Sequence, residues 1–160
     1  LDLRGLTEWH GIPYHHLPIT PENKEKQEER LLSIMLESGA DYLILARYMQ
    51  VLSASLADHL SGRCINIHHS FLPSFKGAQP YRRAHERGVK LIGATAHFVT
   101  SDLDEGSIIE QDVERVDHRA TERDLVRIGR DIEARVLARA VRWTPERRVF
   151  LNGNRTVVFH

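Results

Sequence analysis

Residues 41–46 read Asp-Tyr-Leu-Ile-Leu-Ala, an almost wholly apolar run of strand length. A run without polar alternation suits a strand buried on both faces, as in a parallel sheet covered by helices. A second apolar run, Cys64 to Ile67, ends in a polar pair, Asn66 and His68, two residues apart. Residues i and i+2 of a strand share a face, with Cα atoms roughly 6.6 Å apart. An amide donor and an imidazole therefore point the same way at a strand end. Pro73, Gly77 and Pro80 follow and force an irregular loop, so the pair opens onto a cleft rather than a core. A third run, Leu91 to Val99, leads into Thr100-Ser101-Asp102-Leu103-Asp104-Glu105-Gly106, a loop able to bring a carboxylate to the imidazole. A neutral oxyanion donor, a proton carrier and a carboxylate that fixes the carrier's charge form a set suited to acyl chemistry.

The remaining elements alternate with these strands. Leu1 to Trp9 shows no clear period, and Ile12 to Leu17 is a strand candidate bounded by Pro13 and Pro18. Thr20-Pro21-Glu22 signals a helix start, with Thr20 as N-cap, running to about Ser38 with Gly39 as its stop. Leu31, Leu32, Met35 and Leu36 supply its buried stripe, while its charged first half, Glu22 to Arg30, reads as a solvated face. Ser53 caps a short helix ending near Leu60, and Pro80 opens another that Gly88 ends. Ile108 to Val116 reads as an extended arm or a further strand. Thr121 caps a long helix, Glu122 to Trp143, with a core stripe of Leu125, Val126, Ile128, Ile132, Val136, Leu137 and Val141. Its many arginines, interleaved with acids, read as a solvated face. Asn152-Gly153 between apolar runs signals a closing hairpin.

Composition narrows the function classes. The 160 residues suit one domain of ordinary size. Lysine plus arginine and aspartate plus glutamate both number 22, so no global field attracts nucleic acid or an anionic membrane. No run approaches the ~20 apolar residues of a membrane helix. The single cysteine, Cys64, fits a reducing compartment and reads as an inert core thiol. Lys76 and Gly77 lack the spacing of a phosphate-binding loop. His68, His69 and His97 do not make a convincing metal set: adjacent strand residues face opposite sides, and no His-Glu-x-x-His or cysteine set accompanies them. His10, His15 and His16 likewise read as ordinary histidines. His97 is expected to support the site from its strand, and His69 to line its water side.

Asn66-Ile67-His68-His69-Ser70-Phe71-Leu72-Pro73, followed about thirty residues later by His97-Phe98-Val99-Thr100 and Leu103-Asp104-Glu105-Gly106, resembles the formyltetrahydrofolate-dependent hydrolases and transferases. Ile92-Gly93-Ala94-Thr95-Ala96-His97, Ile108 to Val113 and Gly153 to Val158 extend the resemblance over nearly the whole chain, closest to the deformylases. His69 points to that branch, because the transferases typically carry proline there. Ser107 and Gln79 depart from the family pattern, which often has proline and, in the transferases, histidine at those positions.

The resemblance implies a Rossmann-like α/β fold with a mainly parallel, mixed sheet flanked by helices. It implies Asn66, His68 and Asp104 as the catalytic set. It also implies a folate pocket from Met49, Gln50, Val51 and Leu52 with Thr100, Ser101 and Asp102. His69, His97 and Gly77 support the site. It further implies 10-formyltetrahydrofolate as the substrate and tetrahydrofolate and formate as the products, with no metal and no tightly bound cofactor expected. A small folate is the expected partner, with no nucleic acid or membrane, in a cytoplasmic homo-oligomer. Formyl transfer to an amine, or folate binding without turnover, are the competing readings. Family catalytic domains begin with two strands upstream of anything like Leu1, commonly after an amino-terminal ACT domain. Residues 1–160 are therefore expected to be a partial catalytic domain within a longer chain, with Ile12 to Leu17 not paired to Asp41 to Ala46.

Overall fold

The computed structural model describes residues 3–69, 79–101 and 105–160. The chain divides into two compact units, Leu1–Ala40 and Asp41–His160. The first holds α1 (Arg4–Trp9) and α2 (Lys24–Glu37). Residues 12–17 form no strand. Pro13 removes one ladder donor, and among the described residues their own unit contains no strand to pair with.

Helix α2 starts later than the Thr20-Pro21 signal suggests. Asn23 is the N-cap, and its side chain points backward instead of capping. Its Oδ1 accepts from the Thr20 N–H at 2.7 Å and its Nδ2 donates to the Pro18 carbonyl at 3.1 Å. Those bonds hold residues 18–23 in a turn, which delays the helix. The Gly39 stop stands, with φ +66°. The Ala40 N–H donates to Met35 O and the Gly39 N–H to Leu36 O, which satisfies the last carbonyls. The buried stripe is narrower than expected: Met35 is buried, but Leu36 is 63% exposed. Glu28, in the charged half, is buried, with Lys24 3.9 Å away.

The second unit carries a four-stranded mixed sheet in the order β1 (Leu43–Leu45), β2 (Cys64–His68), β3 (Leu91–Phe98) and β4 (Ile108–Arg115). The β1–β2 pair is parallel; β2–β3 and β3–β4 are antiparallel. Among the described residues the sheet draws only on Asp41–His160. Connections run through α3 (Ala54–His59), α4 (Pro80–Glu86) and α5 (Glu122–Trp143). Ser53 and Thr121 act as the N-caps read from sequence, Thr121 within a reciprocal box with Asp124.

Strand alternation gives the sheet two chemically distinct faces. Ile65, Ile67, Ile92, Ala94, Ala96 and Phe98 face the core with Leu125, Ile132, Val136 and Ala140 of α5. On the same face of β4 stand Glu110, Asp112 and Glu114, opposite Ala96, Ala94 and Ile92 in the ladder. Arg135 and Arg139 of α5 reach these acids at 3.6–4.0 Å, so two helix arginines read as solvent-facing are drawn onto the sheet. The opposite face carries Asn66, His68, Thr95 and His97.

Gly129 sits in the buried stripe of α5 where a larger residue would be expected. A Cβ there would lie 2.0 Å from the Tyr81 hydroxyl, which donates to Glu133 Oε1 at 2.7 Å. Burial, then this hydrogen bond to Glu133, hold the phenol protonated well above its ordinary range. Gly129→Ala, which normally stabilises a helix by about 1 kcal/mol, should here destabilise by about 1–3 kcal/mol through overpacking. Tyr81→Phe should cost about 1 kcal/mol. Urea midpoints of the two variants check the inverted sign: a Gly129→Ala chain as stable as wild type would refute the socket.

The chain closes with a hairpin, β5 (Val149–Asn152) and β6 (Arg155–Val158). Its two central residues are Gly153 and Asn154 rather than Asn152 and Gly153, since Asn152 pairs with Arg155. Gly153 takes φ +59°, which suits a turn with glycine first.

Candidate active site

Asn66 and His68 are both half-buried on one face of β2, while Ile65 and Ile67 between and beside them enter the core. Cys64 shares the polar face, but burial pushes its thiol up to about 12, which leaves it un-ionised and unreactive at neutral pH. Directly across the ladder, His97 pairs with Asn66 and Thr95 pairs with His68. The Asn66 amide nitrogen lies 3.5 Å from His97 Nε2, and His97 Nδ1 lies 2.8 Å from the Phe98 carbonyl oxygen. Thr95 Oγ1 accepts from Gln111 Nε2 at 2.8 Å, which adds β4 to the same polar row. The His69 ring lies 5.1 Å from that of His68 and 6.0 Å from that of Tyr81.

Two backbone features shape the surroundings. Arg47, just past the carboxyl end of β1, takes φ +55°, a left-handed conformation that is costly for a residue with a Cβ. It turns the chain into 48–52, where Met49 is 75% exposed and Leu52 is buried. Parallel pairing of Leu45 with Asn66 makes this loop leave the sheet beside the polar pair. Gly106 packs against the end of β3. A Cβ there would stand 1.6 Å from the Phe98 carbonyl oxygen and 3.2 Å from His97 Nδ1. The Phe98 N–H donates to Ser107 O at 3.0 Å, which fixes the crossing.

Of the residues marked from sequence, the structure brings together Asn66, His68, His69 and His97. Met49, Gln50 and Val51 form an exposed surface at the carboxyl end of β1, with Leu52 beneath. Thr100 and Ser101 are exposed and leave the sheet beyond Phe98, whose partner is Ile65, at the other end of β2 from His68. Asp102, Asp104 and Gly77 lie outside the described residues. Sequence reading missed Thr95, Gln111, Tyr81 and Glu133, and gave Gly106 no role. Period two from His97 flags Thr95, and a glycine inside an apolar helical stripe flags the close approach at Gly129. Among the described residues no group of three or more His, Cys, Asp or Glu side chains is placed to hold a metal ion.

The sequence matches the formyl transferase family model over residues 5–141. It is 59% identical over 157 residues to a formyltetrahydrofolate deformylase of Corynebacterium sp. (strain P-1), covering 98% of this chain and 55% of that protein. The solved formyltetrahydrofolate deformylase of Burkholderia mallei superposes with a TM-score of 0.94 at 61% identity, covering 99% of this chain and 57% of that one. Glycinamide ribonucleotide transformylase 1 from Symbiobacterium toebii is more distant, with a TM-score of 0.84 at 32% identity and coverage of 96% and 73%. The chain thus spans little more than half the length of these deformylases. With the strand-borne Asn66–His68 pair, the mixed sheet and a family match that takes in both, this chain belongs to the formyl transferase family.

Proposed function

We propose that the protein hydrolyses 10-formyltetrahydrofolate to tetrahydrofolate and formate. The observation that carries this reading is the Asn66–His68 pair on one sheet face of a chain about 60% identical to proteins named formyltetrahydrofolate deformylase. Water adds to the formyl carbon and gives a tetrahedral oxyanion. Collapse breaks the bond from that carbon to N10, N10 takes a proton, and formate leaves. Asn66 donates an N–H to the oxyanion without changing its own charge. His68 donates to the same oxygen when protonated, or carries the proton from water to N10. The family resemblance gives Asp104 the task of favouring the imidazolium or ordering the water. Met49, Gln50, Val51 and Leu52, with Thr100, Ser101 and Asp102, contribute the folate pocket; His69 lines the water side, and His97 and Gly77 support the site.

This chemistry uses no metal and no tightly bound cofactor. In the cell it supplies formate to purine biosynthesis and balances one-carbon pools, in the cytoplasm and within a homo-oligomer, without nucleic acid or a membrane as partner. Formyl transfer to an amine is the second reading, supported by the transformylase likeness. The experiment is formate release from 10-formyltetrahydrofolate, with and without amine acceptors such as glycinamide ribonucleotide, before and after extensive chelation. Acceptor-independent release that survives chelation is expected. Turnover only with an acceptor would replace hydrolysis by transfer, and loss on chelation restored by metal would overturn the metal-free mechanism.

A further inference from the structure

The Asn66 carboxamide can present either NH2 or Oδ1 to a neighbour, and its neighbour decides which. His97 stands directly across from it in the β2–β3 ladder and is buried. Nδ1 of His97 lies 2.8 Å from the Phe98 carbonyl oxygen. A carbonyl oxygen only accepts, so Nδ1 carries the proton and donates it. In the neutral ring Nε2 is then bare and can only accept. That atom lies 3.5 Å from the Asn66 amide nitrogen, a long contact of the kind that tightens when substrate binds. The reversed amide would set Oδ1 lone pairs against those of Nε2 in a partly buried space, which is costly.

We propose that His97, held as its Nδ1–H tautomer by the Phe98 carbonyl, is a positioning residue that locks the Asn66 carboxamide with its NH2 toward β3. The amide has two N–H bonds. One is spent on Nε2, and the second remains for the oxyanion that forms on the formyl group. The lock thus selects a donor over an acceptor at the atom where negative charge develops. Gly106 makes it stiff, because its lack of a Cβ lets the chain close over the Phe98 carbonyl that holds the imidazole. The catalytic consequence rests on the hydrolytic reading above; the tautomer and the amide orientation do not.

Two measurements on the intact chain test this. The first is the ring nitrogen spectrum of 15N-histidine-labelled protein, with His97 assigned by its absence in His97→Gln. With the ring neutral, protonated Nδ1 and unprotonated Nε2 are expected, and a protonated Nε2 beside an unprotonated Nδ1 would overturn the lock. The second is kinetic. Loss of the lock in His97→Leu and His97→Asn should lower kcat for formate release by about 10²-fold while KM moves by less than about threefold. A glutamine can place an acceptor oxygen near the Nε2 position, so His97→Gln should recover to within about tenfold of wild type, whereas the shorter asparagine cannot reach Asn66. Equal rates for the asparagine and glutamine variants, or a leucine variant at wild-type rate, would refute the positioning role. A wild-type chain that releases no formate would remove the hydrolytic reading, while the nitrogen spectrum would still decide the lock.

Discussion

Replacing Asn66 or His68 by alanine is expected to slow formate release by about 10²- to 10³-fold, close to 3 kcal/mol in the transition state, which is the scale of losing one oxyanion donor. Binding of tetrahydrofolate should stay within about tenfold, since both groups act on charge that develops only during reaction. The two side chains lie on the half-buried polar face of β2, while the core residues beside them point the other way. Truncation therefore removes chemistry without emptying the core, and the thermal midpoint should change little. Stopped assays of released formate and a folate titration separate the two quantities. Near-full turnover in either variant would strip that residue of its role, and equal losses in binding and rate would recast it as a substrate contact.

Gly106→Ala is expected to be nearly as damaging by a different route. The added Cβ would stand 1.6 Å from the Phe98 carbonyl oxygen and 2.7 Å from its carbon, both backbone atoms that no rotamer change can move aside. Segment or strand end must shift, with a stability cost of about 1–3 kcal/mol, the usual range for overpacking. The carbonyl that shifts is the acceptor for His97 Nδ1, so formate release should also fall by about 10²-fold, as catalytic groups misplaced by an ångström do. Urea denaturation with formate assays under fully folded conditions checks both parts. A stable, fully active alanine variant would mean that the backbone crossing at Phe98 is not needed for the site.

Legibility in the sequence followed the range of the interactions involved. The Asn66–His68 pairing on one face was readable because strand period is local. So were the caps at Ser53 and Thr121 and the stops at Gly39 and Gly88, each decided within four residues. Residues 12–17 failed as a strand because a strand exists only with a partner, and no local pattern says whether one is there. Asn23 displaced Thr20 as N-cap because two short backward bonds competed with capping. The hairpin was placed correctly but one residue out, since Asn-Gly marks a turn and cross-strand pairing sets its register. At the site, the facing of His97 to Asn66 and of Gln111 to Thr95 depended on register between strands far apart in sequence, so it became visible only in the folded sheet.

The acids on the core face of β4 have a consequence for how the sheet is proofread. Between Ala96 and His97 the β3–β4 pairing shifts, and beyond that bulge Glu110, Asp112 and Glu114 stand toward Arg135 and Arg139. A slip of one residue would invert every side chain of β4. It would take the three carboxylates away from the arginines and carry Arg115 onto their side, where like charges meet. It would also swing Gln111 off the row that holds Thr95 beside His68. Helix α5, on the far side of the sheet from the polar pair, thereby acts as a template that rejects one-residue slips of β4, and it guards the reacting face without touching it.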